Sequence, residues 1–210
     1  MERIICLLIG YVFGLFQTGY LYGKTKHIDI RTKGSGNAGT TNALRTMGKK
    51  AGLITLLGDC LKCVFAVLVV RLIYGGSHGD ILPVLSMYAG IGAVLGHNYP
   101  FYMKFKGGKG IAVTAGIIIT IWIMLICLAV FVGMVAGTKY VSVGSLAVVI
   151  IYFLCVVVYG QMGGFGVQGS YLYEIYILAA LVVISAFFKH RSNIQRLREG
   201  TENKLSFGGR

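Results

Sequence analysis

Long apolar runs with few or no charges recur along this chain of 210 residues, and they restrict it to one class of fold. A bilayer core requires roughly 20 predominantly apolar residues per helix, and in hydrocarbon only helices and closed barrels satisfy every backbone N–H and C=O. Residues 4–23, 53–74, 83–96, 111–137, 143–159 and 171–188 are the candidate helical runs. With 56% of its residues hydrophobic, the chain also has too little polar surface to cover a soluble globule. The expected architecture is an all-α polytopic membrane protein, a single domain over residues 1–210. The first run is kept as a membrane helix rather than a cleaved signal segment, because no small-residue cleavage site leads from it into a soluble domain.

Charge fixes the expected topology. The formal net charge is +13, and Lys and Arg gather in residues 24–50, 104–109 and 189–210, whereas 75–82 and 161–170 carry none. Short loops rich in Lys and Arg stay on the cytoplasmic side, so the three basic segments should share that side. Attraction to anionic membrane lipid is the plainest use of such charge. One crossing per run would leave Lys139 and the basic C-terminus outside. Dividing 111–137 into two short helices of about 11 to 14 residues each restores the parity. The count becomes about seven transmembrane helices, two of them short, with the N-terminus outside and the C-terminus inside. A broken pair at membrane depth is tolerated where protein buries it or it lines a cavity, so it points to a pocket.

Small residues four apart, Gly10 and Gly14, Gly92 and Gly96, Gly133 and Gly137, are read as sites of close helix packing. Asp59 and Lys62 lie three apart on one helical face and should point into the bundle as a structural ion pair. The five cysteines all fall in apolar runs, where they act as small hydrophobes. Cys60 and Cys63 have no second pair and no nearby His, so neither metal nor redox chemistry is read from them.

Three polar segments carry the chemistry. In the first, Gly34, Gly36 and Gly39 fit G-x-G-x-x-G, but no strand–helix–strand unit surrounds them, so no dinucleotide fold is implied. The physics behind such glycines still applies: successive backbone N–H groups can converge on an anion, and Ser35, Asn37, Asn42 and Arg45 add donors. The second segment runs from Gly96 and His97 to Lys104, Lys106, Gly107, Gly108, Lys109 and Gly110. It is not a Walker A loop, since Gly110 replaces the required Ser or Thr. Three lysines among glycines, at the start of a short helix near Ile111, make a second place for a phosphate dianion. His97 serves either catalysis or structure. In the third segment His190 and Asn193, three apart, can present donors to one substrate. A phosphate or phospho-metabolite transporter would also use lysines and helix ends at a broken-helix site, although no internal repeat between the halves supports it.

With these residues in view, the chain resembles the bacterial acyl-phosphate:glycerol-3-phosphate acyltransferases of the PlsY type over essentially its whole length. The family motifs are similar to Gly34 through Arg45, Gly96 through Gly110 and His190 through Glu202. The resemblance implies a multi-pass enzyme of the bacterial plasma membrane, its site facing the cytoplasm, that moves an acyl group from acyl phosphate to the 1-hydroxyl of glycerol-3-phosphate. Lysophosphatidic acid and phosphate would be the products. It implies no metal, no cofactor, no nucleic acid and no obligate protein partner, with neither coenzyme A nor acyl carrier protein as donor. By matching positions, Ser35 and Arg45 would serve catalysis and phosphate binding, Gly107, Gly108 and Gly110 would shape the pocket, and Lys104, His190 and Asn193 would hold substrate. Ser142 resembles a further contact to glycerol-3-phosphate, and Glu202 a structural partner. Thr40, Val113 and Cys63 depart from the residues common in the family. An acyl phosphate is already activated, so direct attack by the glycerol hydroxyl is expected, with the donor phosphate or His97 taking the proton. An acyl-Ser35 intermediate is the alternative.

Overall fold

The protein is described here by a computed structural model covering residues 1–117 and 120–205. Its helices are α1 (Glu2–Gly14), α2 (Thr18–Thr25), α3 (Thr40–Tyr74), α4 (Leu82–Asn98), α5 (Ile111–Ala115), α6 (Ile121–Thr138), α7 (Val141–Gln161), α8 (Ser170–Lys189) and α9 (Arg191–Arg198), and no strand occurs among the described residues. Six segments are long and apolar enough to cross a membrane: Glu2–Thr25, Thr40–Tyr74, Gly79–Met103, Ile121–Thr138, Val141–Gln161 and Ser170–Lys189. Large apolar side chains such as Phe16, Leu72 and Ile184 remain exposed on their outer faces. That pattern is unfavourable in water and natural in lipid.

α4 is the central helix, buried along most of its length, with α1, α3, α5 and α8 packed around it, while α7 packs against α6 and α8. Glycine permits the closest of these approaches. A Cβ at Gly10 would lie 1.9 Å from the Ala89 carbonyl oxygen, and one at Gly92 would lie 2.1 Å from that of Leu7. Gly14 and Gly96 meet one another's backbone in the same way. The expectation for Gly133 and Gly137 is not met: a Cβ at either would have no heavy atom within 4 Å, and α6 instead meets α7 at Gly144, beside Phe131 and Val135. A four-residue spacing identifies a helical face but not the neighbour that covers it.

Two apolar runs are interrupted. The first, expected as one helix, breaks at residues 15–17 between α1 and α2. The freed carbonyls find donors, since the Tyr102 hydroxyl donates to Leu15 O (2.6 Å) and the Lys62 ammonium to Phe16 O (2.7 Å). Gln17 is fully buried there and donates to His97 O at 3.0 Å. The second break, expected within 111–137, is present, but its pieces are unequal, with α5 at 5 residues and α6 at 18. Gly116 lets the end of α5 lie directly on α3, because a Cβ there would sit 2.6 Å from both the Cys60 carbonyl and the Cys63 side chain. Thr120 explains the start of α6 by capping it, its hydroxyl accepting from Ile123 N.

Leu205 N donates to Lys139 O at 2.7 Å, so the α6–α7 link lies beside the basic C-terminal segment. At the other end of the bundle Arg3 pairs with Glu174 at 2.6 Å, joining α1 to α8.

Candidate active site

The loop before α3 is folded by its own amides and glycines. Gly34 and Gly36 have φ of 58° and 69°, the left-handed region that glycine enters without strain. Asn42 is buried, and its side chain is spent on the loop: Oδ1 accepts from Ser35 N (2.9 Å) while Nδ2 donates to Ile30 O (3.1 Å) and Lys33 O (3.0 Å). Asn37 Oδ1 accepts from Gly39 N at 2.9 Å, and its Nδ2 donates to Gly107 O at 3.4 Å, tying the first polar segment to the second. Inside α3, Gly48 has φ 85° and ψ 179° and kinks the helix. The first two turns, carrying Thr40, Thr41 and Arg45, can therefore run in a different direction from the membrane-spanning remainder.

The second segment separates its lysines. Lys104 and Lys106 are exposed, whereas Lys109 donates to Asn193 Oδ1 in the third segment. Gly107 and Gly108 let this loop lie on the end of α4, where a Cβ would meet the His97 carbonyl at 2.0 Å or the His97 ring at 1.9 Å. The helix starting at Ile111 is a single turn, so the cation here is Lys109 rather than a helix dipole.

Glu202 organises the third segment. It accepts from Asn193 Nδ2 (2.8 Å), Arg196 Nε (2.8 Å) and the Ser142 hydroxyl (3.2 Å), while Arg45 Nη2 donates to the neighbouring Asn203 carbonyl (3.2 Å). Ser142, on α7, thus joins residues 193–203 through one carboxylate. Burial pushes the Lys109 ammonium down to about 8, with Glu202 opposing and Arg196 and Arg45 adding to the shift. His190 is held down to about 4, by burial first and the charge of Lys109 second. It is therefore neutral near pH 7, and since its Nδ1 lies 2.8 Å from the Ala186 carbonyl, Nδ1 carries the proton and Nε2 is the acceptor.

Beneath these loops lies a buried polar node. Lys62 Nζ donates to Asp59 Oδ1 (2.8 Å), Phe16 O (2.7 Å) and His97 Nδ1 (2.8 Å), and the Thr18 hydroxyl donates to Asp59 Oδ1 (3.1 Å). An ammonium has three donors, and all three are used. His97 Nδ1 is then an acceptor already occupied, which leaves no lone pair on its ring for a substrate proton. With the Lys62 ammonium as donor, this geometry ties the His97 ring to the node as well as to the cavity wall.

All of this surrounds one cavity of about 600 Å³. Ser35, Asn37, Gly39, Asn42, Arg45, His97, Lys109, Gly110, Ser142, His190 and Asn193 line it, together with Asp59 and Glu202. Gly34, Gly36, Lys62, Lys104, Gly107 and Gly108 do not line it. The glycines and Lys62 act on the wall from behind, and Lys104 is exposed outside it. Thr41, Ser145 and Arg196 line the cavity without having been singled out in the sequence, and Thr40, noted there only as a departure from the family's common residue, lines it too. Thr40 and Thr41 begin a 35-residue helix whose first bonds run from Asn42 N and Ala43 N to Gly39 O. Their own N–H groups precede that ladder and suit an anion. The Gly39-Thr40-Thr41 step before a helix was the available signal. The other end of the cavity is apolar, formed by Leu56 and Leu57 of α3, Met124, Cys127, Leu128 and Phe131 of α6, and Val148, Val149 and Tyr152 of α7. A charged head and a hydrocarbon tail on one ligand would match that division.

Comparison with known proteins agrees with this shape. Residues 4–200 match the family model described as glycerol-3-phosphate acyltransferase. A glycerol-3-phosphate acyltransferase of Geotalea daltonii is 42% identical over 207 residues, covering 97% of this chain and 98% of the relative. One from Thermoanaerobacter sp. is 38% identical over 208 residues, covering 98% and 96% respectively. The crystal structure of PlsY, an integral membrane glycerol 3-phosphate acyltransferase in its glycerol 3-phosphate form, superposes with a TM-score of 0.84 at 29% identity, covering 98% of this chain and 96% of that one.

Proposed function

The chain belongs to the glycerol-3-phosphate acyltransferase family, and on that premise we propose that it takes its acyl group from an acyl phosphate at the cytoplasmic face of a bacterial plasma membrane. It is a multi-pass membrane enzyme that acylates glycerol-3-phosphate in phospholipid synthesis. The observation that carries the donor assignment is the division of one cavity into a cationic mouth and an apolar floor. An acyl phosphate is built the same way, with its reactive carbonyl where head meets tail.

In the proposed reaction the 1-hydroxyl oxygen of glycerol-3-phosphate attacks the acyl carbonyl carbon. The bond from that carbon to the phosphate oxygen breaks, and phosphate leaves with the electron pair. The hydroxyl proton goes to the departing phosphate. Ser35, the backbone N–H groups of Thr40 and Thr41, and Arg45 stabilise the phosphate as its charge grows. Ser142, Asn193 and Lys109 hold glycerol-3-phosphate, and His190 Nε2 accepts from its 2-hydroxyl, which orients the molecule and leaves the 1-hydroxyl proton free to reach the phosphate. Holding both substrates at once replaces the need for a covalent intermediate.

Lys109 gives this assignment a pH signature. Its ammonium titrates at about 8 in the free protein, so it is charged below that pH and loses its charge as pH rises through it. A phosphate monoester becomes a dianion as pH rises through about 6. KM for glycerol-3-phosphate is expected to be lowest between these values, and Lys109→Arg should extend the low-KM range upward because arginine does not deprotonate. Initial rates across pH measure this, and a KM that is flat through both limits removes Lys109 from the binding site.

The reaction itself is tested with purified protein in detergent, given glycerol-3-phosphate and an acyl phosphate. Lysophosphatidic acid and phosphate in equal amounts are expected. Uptake of glycerol-3-phosphate into vesicles with no product formed would support a transporter instead.

A further inference from the structure

The apolar half of the cavity has a floor. Along α7 the polar end is marked by Ser142 and the deepest lining residue is Tyr152, ten positions further on, roughly 15 Å of helix. Tyr152 is 2% exposed and is among the largest fully buried side chains of the protein. Its hydroxyl reaches no oxygen or nitrogen acceptor among the described residues and points to Met87 Sδ of α4 at 3.8 Å. A thioether is a weak acceptor, so the phenol is placed there more for its shape than for its hydrogen bond.

Behind that contact lies a second cavity of about 440 Å³, lined by Met87 together with Val64, Val67, Ile117 and Phe165, and also by Arg71 and Ser86. Met87 does not line the first cavity, and Tyr152 does not line the second. The Tyr152 ring and the Met87 thioether are therefore a partition, with the apolar slot on one side and, on the other, a cavity of mixed character that also holds Arg71 and Ser86. Gly116, at the end of α5 and held close against Cys63, lines the second cavity.

We propose that Tyr152, backed by Met87, is the residue that limits acyl-chain length, because a chain seated with its carbonyl at the polar mouth meets the ring at its methyl end. The inference rests on the acyl-transfer reading above and adds to it a specificity residue. A chain too long for the slot must coil within it or leave sideways into lipid, and either draws the carbonyl away from the polar mouth or gains nothing further from the added methylene. Removing the ring lengthens the first cavity as far as Met87 and gives a longer chain somewhere to go.

The test is a ladder of acyl phosphates of increasing length, assayed as kcat/KM with purified wild-type protein and with Tyr152→Leu, Tyr152→Ala and Tyr152→Phe. For wild type, kcat/KM should climb by up to about four-fold per added methylene, the transfer value for one buried CH₂, and then level off or fall beyond a limiting length. Tyr152→Leu and Tyr152→Ala should move that limit to longer chains, whereas Tyr152→Phe, which keeps the ring, should hold it in place. If the smaller variants do not fold, the wild-type ladder alone decides, since a climb that continues through the longest chains overturns the floor. A limit that stays fixed in folded Tyr152→Leu overturns it as well. Wild-type protein that transfers no acyl group from any member of the ladder would instead refute the reading on which the floor depends.

Discussion

Replacing Arg45 with alanine is expected to lower kcat/KM by about 10²–10³-fold, the usual cost of removing one preorganised donor to developing charge, while leaving the folded protein intact. Arg45 is exposed at the cavity mouth, and its described polar partner is a single backbone carbonyl, that of Asn203. Little of the fold depends on it, so unfolding temperature in detergent should stay within the range of ordinary surface substitutions. Arg45→Lys should restore only part of the rate, because an ammonium cannot make the two parallel bonds of a guanidinium to phosphate. Activity equal to wild type in Arg45→Ala would remove this residue from phosphate binding.

Lys62→Met is expected to act in the opposite manner, costing stability before chemistry. Lys62 is 5% exposed and Asp59 1%, and the ammonium supplies the Phe16 carbonyl and the His97 ring as well as the carboxylate. Removing it leaves a buried carboxylate uncompensated and a broken helix uncapped, a loss of about 3–5 kcal/mol for a buried pair split in this way. The double variant Asp59→Asn with Lys62→Met should lose less than the sum of the two single losses, since neither charge is then stranded. Equilibrium unfolding of the four proteins in detergent measures the coupling, and strict additivity would show that the node is not one unit.

How much of this was legible in the sequence depends on what kind of information each feature needs. Helices α4, α7 and α8 follow from apolar length and fall close to their expected bounds, because hydrocarbon leaves the backbone no other choice. The break before α6 followed from charge parity, but its position did not, and the close approach of Gly116 to α3 there is a contact that only the folded bundle supplies. The break at residues 15–17 was invisible for a related reason. Nothing local interrupts that run, and its carbonyls are satisfied by Tyr102 and Lys62 from far along the chain.

The site divides in the same way. Gly34 to Arg45 announced an anion cradle through residue type alone, yet Asn42 proved to be spent on folding the loop, and only the structure separates Lys109, which lines the cavity, from Lys104, which does not. Composition places three lysines in that loop, whereas φ angles and the glycines packed against His97 decide which one faces inward. Glu202 and Ser142 came from resemblance, and the hydrogen bond between them explains why two residues 60 positions apart in the chain belong to one wall.

The central claim is that glycerol-3-phosphate and the acyl donor occupy one cavity together and react directly. Incubating purified protein with acyl phosphate labelled in the acyl group, without glycerol-3-phosphate, and then denaturing it tests this most directly. Direct transfer leaves no label on the protein and delivers it to lysophosphatidic acid only once glycerol-3-phosphate is added. Label retained on Ser35 after denaturation, and discharged by glycerol-3-phosphate in native protein, would contradict it.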